Sequence, residues 1–199
     1  MSTEQTTELS AEDARRTRIL EGAKQAFLAY GFQRTTMDDI ARAAEISRPA
    51  LYLMFKNKSD IYRALASAHM DVMLATTARA LESDGSLEGR LEQALGSILA
   101  MTSEIEDSPH GADILDMKNS LAADIIAEWR VGMTDLIEAA IGAEMSKDGG
   151  DKSPKFAPRM LADMLLDAKE GMKMRQIPAA QQRAALAAFV RVVVQAAGH

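Results

Sequence analysis

The sequence predicts an all-α fold, and three observations carry the prediction. Apolar residues recur at helical spacing along nearly the whole chain, and period-two alternation is almost missing. Ala, Leu, Met, Glu, Arg and Lys, all good helix formers, are plentiful. Proline and glycine gather where breaks between helices would fall. At 199 residues, 47% of them hydrophobic, the chain buries a core without covalent staples. Cysteine is absent, which excludes disulfides, thiolate metal sites and a cysteine nucleophile.

The elements follow in order. A first helix is expected from Ser10, as N-cap with Asp13 three residues on, to Tyr30, and to stop at Gly31. Ile19, Ala23, Ala26, Phe27 and Tyr30 share one face of it. A short second helix opens at Thr36, paired with Asp39 as a capping box, and turns Ile40 and Ala44 inward. Ser47 caps a short third helix whose first turn holds Pro49, where a missing N–H costs nothing. Asn57 with Asp60 caps a long fourth helix that reaches Glu82. Further helices are expected at 86–105, 111–119, 120–146, 155–175 and 179–197, with the one real loop at 145–155.

Net charge is −6, unevenly spread. Residues 10–60 carry nine Lys/Arg against seven Asp/Glu, and residues 61–199 carry fourteen against twenty. A slightly basic head on an acidic body suits a head that meets a polyanion, although chance could produce the same split. The polar start "MSTEQTTELS" has no basic or apolar leader region, and no apolar run approaches the ~18 residues of a membrane span. A cytoplasmic protein with no membrane partner is therefore expected.

Residues 35–58, "TTMDDIARAAEISRPALYLMFKNK", place two short capped helices around a tight turn behind a longer helix. This is the helix-turn-helix layout, whose second helix is short enough to enter the major groove of B-DNA. Leu51 and Phe55, four apart, are expected to anchor it in its core, with Tyr52 either half-buried or reaching outward.

The longer run "GFQRTTMDDIARAAEISRPALYLMFKNKSDIYRAL" resembles the DNA-binding domain of the TetR family of bacterial transcriptional regulators. The resemblance covers about residues 12–65. It rests on Gly31-Phe32, Thr35-Thr36, Asp39-Ile40-Ala41, Ala44, Ser47, Leu51-Tyr52, Phe55, Lys58 and Ile61 at fixed spacing. Departures are Glu45 and Pro49 where the family often has glycine, and Leu53-Met54 where it often has a more polar or aromatic pair. The resemblance implies a tail at 1–9, expected to be disordered, a DNA-binding domain at 10–56 and an effector-binding and dimerisation domain at 57–199. It further implies a homodimer on a palindromic double-stranded DNA operator, released by a small-molecule effector. Arg48 is the best candidate for reading a base edge, with Pro49 and Ala50 near thymine methyls. Thr36, Tyr52 and Lys58 match phosphate positioners, and Arg34, Arg42 and Lys56 are further candidates.

The last two helices carry apolar residues beyond a one-sided face: Met160, Leu161, Met164, Leu165, Ala168 and Met172, then Leu186, Phe189, Val190, Val193 and Val194. In the family such helices form a four-helix bundle across the dimer, and an ordinary two-sided core would look the same. Thirteen methionines against five phenylalanines suit an adaptable apolar surface. His69, Met70, Met73, Met101, Met117, Trp129 and Met133 are candidates to line an effector pocket for a mainly apolar ligand, or simply to fill gaps. An enzyme is the rival class. His69, His110 and His199 lack metal-ligand spacing, and no phosphate loop or nucleophile motif is present, so no metal, cofactor or catalytic residue is expected. A structural DNA-binding protein without a ligand is a third reading, and the acidic body argues against it.

Overall fold

The computed structural model describes residues 3–148, 156–174 and 178–198. Within them the secondary structure is helical: α1 Thr3–Tyr30, α2 Met37–Ala43, α3 Arg48–Met54, α4 Lys58–Glu82, α5 Leu87–Glu106, α6 Gly111–Leu121, α7 Ala123–Met145, α8 Pro158–Met174 and α9 Ala179–Ala196. A 3-10 turn, Ser146–Asp148, follows α7. Two boundaries differ from expectation. The first helix begins at Thr3 rather than at a Ser10 cap, because nothing between Thr3 and Ser10 breaks a helix. The break expected at 119–120 falls at Ala122, between α6 and α7.

The chain divides into two compact units. One comprises Met1–His69 with Glu104–Ile126, and the other Met70–Ser103 with Ala127–His199. The boundary expected at residue 56 is thus moved. The first turns of α4 belong with the helix-turn-helix, and so does α6. The reason is packing. Ile61 and Tyr62 of α4 and Ala122 are buried in the same apolar cluster as Ile19, Phe27, Ile40 and Leu51. Phe27, Phe32 and Tyr62 form an aromatic triangle with ring centroids 5.3–6.4 Å apart. Such pairs add about 0.5–1.5 kcal/mol each beyond their buried area. Tyr62 donates its hydroxyl to Ile114 O at 2.7 Å, and burial pushes its pKa up to about 12. Tyr30, expected on the buried face of α1, is exposed instead, since the helix ends there at Gly31.

Two glycines set this unit's geometry. Gly31, at φ 78°, takes the left-handed position that ends α1 and donates its N–H to Phe27 O. A Cβ on Gly22 would lie 2.6 Å from Ala44 N, so the bare backbone lets α1 lie directly against the end of α2.

The second unit buries an apolar core drawn from α4, α5, α7, α8 and α9, including Met73, Leu91, Leu95, Ile98, Met133, Ile137, Leu165, Val190 and Val193. Ion pairs lace α7 to α8: Arg130 with Asp167, and Arg159 with both Asp135 and Glu138. Thr134, buried, donates its hydroxyl to Asp163 across the same pair of helices. Arg90 of α5 pairs with Glu144 of α7 and donates to Leu81 O, so a largely covered charge is compensated.

Candidate nucleic-acid interface

The local chemistry read from residues 35–58 is present. Thr36 Oγ1 accepts from Asp39 N, and Asp39 Oδ2 accepts from Thr36 N at 2.9 Å, which closes the capping box of α2. The Thr36 hydroxyl also donates to Asp39 Oδ2 at 2.6 Å. These two hydrogen bonds from Thr36, helped by Arg42, hold the Asp39 carboxyl below its ordinary pKa. Ser47 Oγ accepts from Ala50 N and starts α3. Asn57 Oδ1 accepts from Asp60 N and starts α4.

The turn between α2 and α3 is a Schellman arrangement. Glu45 N donates to Arg42 O, and Ile46 N donates to Ala41 O. The residue that must be left-handed there is Glu45, at φ 54°, where glycine is the usual choice. The backbone requirement inferred from the sequence is therefore real, and this chain meets it with a strained residue.

The seven residues of α3 divide cleanly at about 100° per residue. Leu51 is buried, as is Phe55 at the C-cap, and Ala50 and Met54 are half-buried. Arg48, Pro49, Tyr52 and Leu53 occupy the exposed half, with Lys56 just beyond it. Leu53 is 86% exposed, the most open large apolar side chain of those on α3. In the sequence it stands out only as a departure from the family pattern, with no surface assigned to it. Its spacing of four from Pro49, away from Leu51 and Phe55, carried that signal.

Three expected contacts are otherwise engaged. Lys58 donates to three carbonyls, Phe32 O at 2.8 Å, Gln33 O at 2.9 Å and Thr35 O at 3.0 Å, and its ammonium lies 4.8 Å from the Phe32 ring centroid. All three of its protons are used, so Lys58 fixes the loop between α1 and α2 and has none left for a phosphate. Arg34 donates from Nε to Tyr30 O and from Nη2 to His110 Nε2 at 2.9 Å. It lines a cavity of about 280 Å³ with Tyr30, Gly31, Phe32, Gln33, His110 and Asp113, so its guanidinium is already held on two sides. Thr36 is exposed, but its hydroxyl proton is committed to Asp39.

Of the residues expected to line an effector pocket, Met70, Met73, Met101, Trp129 and Met133 share one apolar cluster. His69 belongs to the first unit, while Met70, Met73, Met101, Trp129 and Met133 belong to the second. The side chain of Met117 lies outside the described residues. Met73 and Met133 are buried in the second unit's core, and Met70, Met101 and Trp129 pack against it partly covered. His69 is largely buried with Nε2 unpartnered, and burial, then Lys24, lowers its pKa.

The expected dimer face also splits. Leu161, Leu165, Met172, Leu186, Val190, Val193 and Val194 are buried in their own unit, with Ala168 packed against them. Met160, Met164 and Phe189 are exposed, joined by Val192, which sequence reasoning omitted. Hydropathy does not distinguish the inward from the outward stripe.

Comparison with known proteins gives the same reading. The family profile of bacterial regulatory proteins, tetR family, matches residues 19–65. The chain is 27% identical over 138 residues to the HTH-type transcriptional activator FasR of Mycolicibacterium smegmatis, covering 69% of this chain and 62% of that one. The match thus spans less than two thirds of that relative's length. Among solved structures it resembles SmeT, the repressor of the Stenotrophomonas maltophilia multidrug efflux pump SmeDEF, with TM-score 0.63, 19% identity and 89% of both chains covered. A SmeT–triclosan complex superposes equally well, with TM-score 0.63 at 18% identity over 90% of this chain and 91% of that one. A TetR-like transcriptional regulator from Rhodococcus sp. RHA1 gives TM-score 0.60 at 22% identity, covering 89% of this chain and 93% of that one. The tetR family signature thus falls on the capped helix-turn-helix, and along most of its length the chain has the fold of solved TetR-like regulators.

Proposed function

We propose that the protein is a sequence-specific regulator of transcription, a homodimer that binds a palindromic DNA operator and leaves it when a mainly apolar small molecule binds. The exposed half of α3 carries this reading: Arg48, Pro49, Tyr52 and Leu53 stand outward on a helix capped at its start and anchored by Leu51 and Phe55. That is a cation, two apolar surfaces and a phenol on an element of major-groove width. Two such helices, related by a two-fold axis, read the two halves of a palindrome. The exposed Met160 and Met164 of α8 with Phe189 and Val192 of α9 are the apolar surface available for pairing two copies.

An effector site in the second unit has support from orphaned polar atoms. Thr77 Oγ1 and Trp129 Nε1 are buried without a hydrogen-bond partner, and both belong to that unit. Buried polar groups are nearly always satisfied, so an apolar ligand with an acceptor would relieve them. The structural neighbour SmeT is known as a complex with triclosan. Release of DNA requires the ligand to favour the DNA-incompetent state, typically by about 1–3 kcal/mol. Repression is the direction proposed, although the relatives include an activator, FasR.

The test is fluorescence anisotropy with duplexes from beside the protein's own gene, across a salt series. The expected result is tight binding to one segment, weakened by salt with a slope set by the phosphates engaged. Equal affinity for unrelated duplexes of the same length would refute sequence-specific regulation. Trp129 is the sole tryptophan, so its fluorescence during titration with apolar compounds reports on the second unit.

A further inference from the structure

Two adjacent acids open α2, and only one of them serves the cap. Asp39 closes the capping box with Thr36. Asp38 faces the other way in chemical terms: its Oδ1 lies 2.6 Å from Nε of Arg48, across the turn, on the first residue of α3. Oδ1 is covered from solvent, yet the Nε–H does not point along the contact, so the two are held as an ion pair rather than by an aligned hydrogen bond. Both side chains otherwise stay open, at 60% exposure for Arg48 and 45% for Asp38.

A first-turn acid stabilises a helix wherever its carboxylate hangs, which accounts for an acid at this position but not for its seat on Arg48. On a surface that meets phosphates, an isolated carboxylate is repelled by the duplex. Paired with Arg48, its charge is locally cancelled. Arginine also carries considerable rotamer entropy, which it must lose to read a base. A carboxylate beside Nε restrains the guanidinium before DNA arrives. It leaves the Nη1 and Nη2 protons, the end-on fork that matches O6 and N7 of guanine.

We propose that Asp38 is a positioning residue for base reading. It holds Arg48 through Nε so that the Nη1–Nη2 edge addresses one guanine in each half-site. The inference rests on the reading of this chain as a sequence-specific DNA-binding protein, and it adds the partner that makes Arg48 selective.

The experiment uses the full-length protein. A random duplex library is enriched on the wild type, and the winning duplex is remade with each single base-pair change. Affinities are then measured for wild type, Arg48→Ala, Asp38→Asn and the double variant. Arg48→Ala is expected to lose discrimination at one guanine per half-site. Asp38→Asn is expected to lose at least about fivefold of that same discrimination, with other positions unchanged and affinity for unrelated DNA equal or higher. In the Arg48→Ala background, Asp38→Asn is expected to change nothing further at that position, as a residue acting through Arg48 must. Undiminished guanine discrimination in Asp38→Asn overturns the proposal. So does an even loss across all positions, which is what a distorted helix-turn-helix would produce. If the wild type enriches no sequence, regulation by specific DNA binding is itself refuted, and the role of Asp38 goes with it.

Discussion

Glu45→Gly is expected to stabilise the helix-turn-helix, although it deletes a side chain and replaces it with nothing. Glu45 sits at φ 54° in the Schellman arrangement that ends α2, with its N–H on Arg42 O. A left-handed residue with a Cβ costs about 1–2 kcal/mol. Glycine removes that cost and adds back about 0.4–1 kcal/mol through a freer unfolded chain. The net gain is about 0.5–1 kcal/mol, because Glu45 is exposed and no ion pair or hydrogen bond of its side chain opposes the change. Hydrogen exchange read peptide by peptide is the suitable assay, since Trp129 fluorescence follows the other unit. Opening of residues 37–55 is expected to become about two- to fivefold rarer. Glu45→Ala keeps the Cβ and is expected to gain nothing. Equal gains from both variants would place the cost in the Glu45 side chain. A loss in Glu45→Gly would refute strain at this turn altogether.

Other perturbations follow from the same geometry. Lys58→Met leaves the carbonyls of Phe32, Gln33 and Thr35 without their donor, and is expected to destabilise the first unit by about 2–3 kcal/mol in urea melts followed by exchange. The salt slope of DNA binding should stay unchanged; a slope reduced by about 0.9 per lysine with stability intact would instead make Lys58 a phosphate contact. Arg63 grips Asp124 through both Nη atoms and also donates to Leu121 O, and its hydrogen bonds lower the Asp124 pKa to about 2. A depressed carboxyl contributes stability that is complete above its unfolded pKa of about 3.9 and is lost as pH falls toward about 2. Asp124→Asn is expected to flatten the acid limb of the stability curve in that window, and an unchanged limb would show that the pair contributes nothing.

What was legible in the sequence is what lies close along it. The three caps, Thr36 with Asp39, Ser47 with Ala50 and Asn57 with Asp60, each span three residues, so spacing alone locates them. The left-handed position at Glu45 is a local property of the turn, and it too could be read. The clamp of Lys58 spans more than twenty residues, and no periodicity encodes it. The ion pair of Asp38 with Arg48 crosses a turn between two helices whose mutual angle is set by buried Ile40, Ala44 and Leu51. In the second unit, Met160 and Leu161 are adjacent apolar residues, yet one is exposed and the other buried. A helical pattern locates an apolar stripe; it does not say which edge of that stripe meets the chain's own core.

The division has a consequence for specificity. The fold of the helix-turn-helix is determined by local caps, by Leu51 and Phe55, and by Lys58 reaching back to the α1–α2 loop. None of these residues needs Arg48, Pro49, Tyr52 or Leu53 to be what they are. Arg48, Tyr52 and Leu53 are therefore not used by these caps and anchors, whereas Pro49 also suits the first turn of α3. A leucine left 86% exposed there sacrifices the ~1.5–3 kcal/mol of full burial unless something apolar covers it, and a thymine methyl in the major groove is the apolar group that a base pair offers. If Leu53 faces such a methyl, Leu53→Ala should weaken the selected duplex at one A·T position and leave untouched the guanine proposed for Arg48. Loss at the guanine instead would mean that the two side chains act as one unit.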